Sequence, residues 1–136
     1  MITVALEGGM RFRGQGESGH AVAMDASPKS GGVDSAARPI EVFLSALGGC
    51  TGMDVVSILR KMKTEPSEFR IEIDSERANE HPTPFTKIHL TYAVAGDVPE
   101  TNLQRAIQLS LEKYCPLANT LAGVVEITSE YRTEPS

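Results

Sequence analysis

The chain has no basic run and no cluster of basic with aromatic residues, and its net charge is -5. A phosphate backbone is met by clustered lysine and arginine, so nucleic acid is not an expected partner. Cysteine is scarce: Cys50 and Cys115 are the only two, far apart in sequence. A structural zinc site needs two close pairs of ligands, which excludes a finger or ribbon. His20, His81 and His89 fall at no metal-ligand spacing. The first residues, Met1 to Glu7, lack the charged lead and the length of a secretory signal. No membrane span is expected either, so the cytoplasm is the predicted location. No internal repeat, low-complexity tract or serine-nucleophile motif is present, and Gly14-Gln15-Gly16 is too short for a nucleotide fingerprint. What remains is a chain of 136 residues, 40% hydrophobic and 23% charged. That fits one ordinary soluble domain, residues 1–136, with enough chain for a core.

One stretch organises the rest: Pro39–Met62, PIEVFLSALGGCTGMDVVSILRKM. Proline suits the first turn of a helix, where its missing N–H would be unpaired anyway. Ile40, Phe43, Leu44, Leu47, Val55, Ile58, Leu59 and Met62 recur at helical spacing, and Val42, Ala46, Met53 and Val56 make the other faces apolar. This predicts a buried helix. Glu41, Asp54 and the glycines argue against a membrane span. Gly48, Gly49 and Gly52 each cost about 1 kcal/mol relative to alanine inside a helix. The expected return is close approach of another backbone or helix, with Cys50 deep beside that contact.

Before the helix, residues 2–6, Met10–Gly14 and Ala21–Met24 read as a three-stranded antiparallel meander, and Ser27–Arg38 as a mobile loop. After it, Glu68–Arg77 alternates, with Phe69, Ile71 and Ile73 on one face. Phe85–Ala95 alternates again and pairs with it. Pro99–Glu112 is a second helix that stops at Tyr114-Cys115-Pro116. Leu117–Leu121 adds a further turn, Val124–Tyr131 a last strand, and Arg132–Ser136 is expected to fray. The pattern is α+β. A helix so apolar needs more cover than these elements give, which predicts a homodimer sharing one core.

Cys50 and Cys115 are the candidates for chemistry. A thiolate that attacks a peroxide becomes a sulfenic acid, and a second thiol then closes a disulfide. This needs two cysteines whose Cα atoms come within ~7 Å. It also needs a group that favours the thiolate, such as a cation. Arg11, Arg13 and Arg38 are the cations to consider, each equally readable as a solvated arginine. Glu41 either orients an arginine or simply suits the helix N-terminus. Either cysteine also reads as a small buried hydrophobe. Asp54, one turn beyond Cys50, would raise a thiol pKa if it faced it.

Three runs, Gly19-His-Ala-Val-Ala-Met-Asp25, Ser45-Ala-Leu-Gly-Gly-Cys-Thr-Gly-Met-Asp-Val-Val-Ser-Ile-Leu59 and Leu111-Glu-Lys-Tyr-Cys-Pro116, resemble the OsmC/Ohr family in order and spacing. These are the osmotically inducible and organic hydroperoxide resistance proteins. The resemblance covers nearly the whole chain. It implies an OsmC-like fold, with antiparallel strands wrapped around a long central helix in an intertwined homodimer. It implies thiol-dependent reduction of organic hydroperoxides at pockets along the dimer interface. Cys50 takes the peroxidatic place and Cys115 the resolving place; Arg11 and Arg13 both lie near the place of the family's catalytic arginine, with Glu41 one position beyond that of its glutamate partner, where Ile40 stands. A dithiol such as a lipoylated protein supplies the electrons, and no metal or organic cofactor is implied. Well-characterised peroxidases of the family carry Asn-Pro-Glu at the start of the long helix, where the glutamate salt-bridges the arginine. Here the run is Arg38-Pro39-Ile40, with Glu41 one position later. That places the chain with a broad OsmC-like branch rather than the dedicated reductases. A dimer that binds or senses an apolar small molecule is the competing reading, and a purely structural dimer a third.

Overall fold

Short alternating runs punctuated by glycine build the first sheet. In the computed structural model, which describes residues 1–135, β1 (Thr3–Gly8), β2 (Arg11–Gln15) and β3 (Ala21–Met24) form an antiparallel meander in that order. The β1–β2 turn uses Gly9 at φ 56°, a left-handed conformation that glycine adopts without steric cost. Val4 lies opposite Gly14, Leu6 opposite Phe12, Phe12 opposite Met24, and Gly14 opposite Val22. Cross-strand partners share a face. One face of the sheet is therefore apolar, yet Val4, Leu6 and Val22 remain 55%, 58% and 48% exposed.

Composition predicts mobility for Ser27–Arg38, but one carboxylate organises that loop. Asp25 is 2% exposed. It accepts hydrogen bonds from the Ser35 hydroxyl at 2.7 Å, the Ser35 N–H at 3.0 Å and the Ala26 N–H at 2.7 Å. These donors, the Ser35 hydroxyl foremost, hold its pKa down to about 2.

The chain forms a first unit, Met1–Ser45, and a second that begins at Ala46. The long helix α1 (Pro39–Lys61) starts in the former and continues in the latter. Its residues Leu47, Gly48, Thr51, Gly52, Val55 and Leu59 form one buried stripe. The expectation of burial on all faces is too broad: Met53 is 77% exposed and Phe43 43%. By length and composition the helix passes for a membrane span, with mean hydropathy 1.7 over its most apolar window.

In the second unit, β4 (Glu68–Arg77), β5 (Phe85–Ala95) and β6 (Glu126–Glu134) form a sheet in that order. β4 and β5 pair antiparallel; β5 and β6 pair parallel, after a crossover through α2 (Glu100–Leu109). The inner face carries the core, with Ile88, Leu90 and Tyr92 at 0% exposure. The glycines of α1 admit side chains of β4, not a backbone or a helix as expected. A Cβ at Gly48 would stand 2.9 Å from Ile73 Cδ1, and one at Gly52 3.2 Å from Ile71 Cδ1. Gly49 meets nothing within 4 Å. On the outer face, Arg70 reaches Glu134 at 2.7 Å and Arg132 reaches Glu72 at 3.0 Å. Both pairs cross β5 from edge to edge.

The sequence predicts α2 to run to Glu112, but regular α geometry ends at Leu109. Ser110–Tyr114 forms a wider turn, and α3 (Pro116–Leu121) follows. The last strand continues to Glu134, so the expected fraying does not hold for residues 132–134; Ser136 lies outside the described residues. The class is α+β: a long helix with two small sheets.

Candidate active site

Cys50 borders the buried stripe of α1. Thr51 and Leu47 sit inside the stripe, while Gly49 and Met53 face outward. Cys50 is therefore half-buried, not deep in the fold as the glycine-rich sequence predicts. Its position on the helix, more than its chemistry, decides this.

Cys115 is fully buried, at 0% exposure. The wide turn carries it there. Its N–H donates to the Ser110 carbonyl at 2.7 Å, five residues back. An α-helix would place residues five apart about 140° from each other. The wider turn, followed by extended backbone at Cys115 (φ -77°, ψ 108°), brings the cysteine back to the core side with Ser110. Pro116 opens α3, where no N–H is needed. Cys115 caps that short helix, its Sγ accepting the Ala118 N–H at 3.4 Å.

The two thiols are neighbours. Both are free, and the Cys50 side chain lies close enough to act on the Cys115 thiol. Burial pushes the Cys115 pKa up to about 11; the Ala118 N–H opposes this, and the neighbouring Cys50 sulfur adds to the rise. Cys115 thus holds its proton at neutral pH. Neighbouring thiols are the first requirement for a disulfide.

Beside them runs a chain of hydroxyls that the sequence reading missed. Tyr92 Oη lies 2.8 Å from Thr51 Oγ1, which lies 2.7 Å from Ser110 Oγ. Ser110 Oγ donates to Asp54 Oδ2 at 2.9 Å. Each hydroxyl has one proton, and the carboxylate only accepts. With the Ser110 proton on Asp54, Thr51 donates to Ser110 and Tyr92 donates to Thr51. Tyr92, Thr51 and Ser110 are each 0% exposed. Burial pushes the Tyr92 pKa up to about 12, and the Thr51 hydrogen bond opposes it. The available sequence signal was three hydroxyls on otherwise apolar, core-facing positions.

The other candidates lie in the first unit. Arg11 pairs with Glu7 at 3.0 Å and donates to the Ser35 hydroxyl at 2.8 Å. Arg13 donates to Gln15 Oε1 at 3.4 Å. Glu41 Oε1 accepts the Arg38 N–H at 2.8 Å, which caps the start of α1. The Arg38 guanidinium pairs with Asp34 at 2.9 Å. Among the described residues, no cluster of three or more His, Cys, Asp or Glu is arranged to hold a metal ion.

Comparison with known proteins agrees with this architecture. The family model for OsmC-like protein matches residues 32–130. Over 124 residues the chain is 42% identical to Protein YhfA of Escherichia coli K12, covering 90% of each. It also resembles the crystal structure of a hypothetical protein from Aquifex aeolicus VF5, at 24% identity and TM-score 0.86, covering 100% of this chain and 96% of that one. An organic hydroperoxide resistance protein OsmC from Legionella pneumophila aligns at 14% identity and TM-score 0.70, covering 96% of each chain. At such identities these structures speak for the fold. The family model and the Escherichia coli relative carry the assignment further: the chain belongs to the OsmC-like family.

Proposed function

We propose that the Cys50–Cys115 pair reduces organic hydroperoxides. The observation that supports it is the proximity of a half-buried and a fully buried thiol. The Cys50 thiolate attacks one oxygen of the O–O bond. That bond breaks, the alcohol leaves with a proton, and Cys50 becomes a sulfenic acid. Cys115 then attacks the Cys50 sulfur. The S–S bond forms, and the hydroxyl leaves as water with the Cys115 proton. A dithiol reductant, such as a lipoylated protein, returns two electrons and two protons. Family neighbours named as hydroperoxide resistance proteins support the substrate class. Such chemistry suits a reducing compartment, the cytoplasm. The proposal includes a homodimer, because the apolar face of β1–β3 is uncovered in one chain.

Treatment with cumene hydroperoxide tests it. The intact mass should fall by two hydrogens, and Cys115→Ser should instead yield a dimedone adduct on Cys50. An unchanged mass with no adduct would sink the proposal. Arg11→Gln and Arg13→Gln, assayed for the rate of Cys50 oxidation, identify the activating cation.

One observation favours a second reading, an OsmC-like dimer that holds an apolar ligand with little peroxidase activity. The Arg11 guanidinium and the Glu41 carboxylate are both engaged elsewhere, with Glu7 and Ser35 and with the Arg38 N–H. Under that reading, Cys50→Ser binds a fluorescent fatty acid as the wild type does, and peroxide leaves the wild type unmodified.

A further inference from the structure

Neither cysteine explains why Ser110 and Thr51 are where they are. Two small polar side chains at 0% exposure sit among apolar neighbours, 2.7 Å apart. Each is tied to a cysteine by the backbone. Thr51 follows Cys50 directly in α1. Ser110 accepts the Cys115 N–H on its own carbonyl, through the wide turn. The Thr51–Ser110 hydrogen bond therefore joins the helix turn that bears one sulfur to the turn that bears the other. Its ends are anchored as well. Tyr92 on β5 donates into it from the sheet, and Asp54, one turn along α1, draws every proton in one direction. Among the described residues, no buried side-chain polar atom lacks a partner, so the chain of hydroxyls is closed. A buried network closed in this way admits one arrangement, because any other leaves a donor unpaired.

We propose that Thr51 and Ser110 are positioning residues for the dithiol, holding the Cys115 turn against α1 so that Cys50 and Cys115 stay close together and their disulfide is favoured. This rests on the redox reading of the pair but adds to it. The hydroxyls touch neither peroxide nor reductant; they act by raising the effective concentration of one sulfur at the other. In exchange with oxidised dithiothreitol, the two protein thiols give up two electrons and two protons, the protein S–S bond forms, and the cyclic disulfide opens to its dithiol. A loosened turn lowers the equilibrium constant of that exchange.

The test is the reduction potential of the Cys50–Cys115 disulfide in dithiothreitol buffers, read by intact mass after acid quenching. Ser110→Ala and Thr51→Val should each weaken the disulfide about tenfold, a rise of about 30 mV for this two-electron couple. Thr51→Ser, which keeps the hydroxyl, should return the wild-type potential. Should the core variants fail to fold, Asp54→Asn at the half-buried end of the chain should shift the equilibrium about threefold the same way. Unshifted potentials in folded variants overturn the proposal, as does Thr51→Ser behaving like Thr51→Val. The measurement involves no peroxide. If the wild type forms the disulfide in the buffer but not with hydroperoxide, the peroxidase reading fails and the potentials alone judge the positioning role. If no disulfide forms in any buffer, both fall.

Discussion

Burial separates the two thiols more than sequence does. Cys115 is shut in and pushed up to about 11, while Cys50 lies at the edge of a buried stripe. In the native protein, iodoacetamide at about pH 8, below the shifted thiol pKa, should label Cys50 and leave Cys115 intact, as peptide mapping would report. Labelling of Cys115 without unfolding would contradict its burial. Thr51→Val keeps the shape but removes the hydroxyl shared by Tyr92 and Ser110. Leaving buried partners unpaired should destabilise the protein by about 1–3 kcal/mol in urea unfolding. Asp25 gives a pH dependence of definite sign. Its folded pKa, about 2, lies below the ordinary carboxylate value of about 3.9. Its stabilising effect is therefore complete above the ordinary value and lost as pH falls through the folded one. The stability gap between wild type and Asp25→Asn should be full at about pH 6, shrink as pH falls below about 4, and reach its minimum only below about pH 2.

At the scale of elements, what was legible followed local periodicity. The alternation of Phe69, Ile71 and Ile73 marks β4, and Pro39 with the apolar run marks α1, because a strand's two faces and a helix's first turn are written in neighbouring residues. The wide turn at Ser110–Tyr114 was not legible. Its first residue, Ser110, bonds to Thr51 and Asp54, which are remote in sequence, so no local pattern names these partners, and the helical periodicity through Glu112 pointed the other way. The parallel seat of β6 was hidden for the same reason, since nothing within a strand names its neighbour. The resemblance of the runs around Cys50 and Cys115 to the OsmC/Ohr family marked both cysteines as a pair, whereas the hydroxyl chain beside them has no motif. Substitutions in α1 test the packing directly. Gly49→Ala adds a methyl where nothing lies within 4 Å, and Gly48→Ala pushes on Ile73. Both gain about 1 kcal/mol of helix propensity, but overpacking at Gly48 costs on the order of 1–3 kcal/mol. Gly49→Ala should therefore be the more stable variant by denaturant titration. The reverse order would place a partner against Gly49.

At the scale of the whole molecule, the question is what lies on β1–β3. Leu6 and Val4 share its apolar face and are more than half exposed in one chain. If a second copy covers them, sedimentation should give a dimer, and Leu6→Glu should shift the protein toward monomer at micromolar concentration. A wild-type monomer would remove the shared core. That open sheet also bears on how the polypeptide reaches its native state. A small meander whose apolar face is left open has little buried surface to hold it in water. The first forty-odd residues would then complete their structure only on meeting a sister chain, making folding a second-order event. Resistance to heat or urea would no longer belong to the chain alone: each tenfold dilution should lower the apparent stability by about 1.4 kcal/mol.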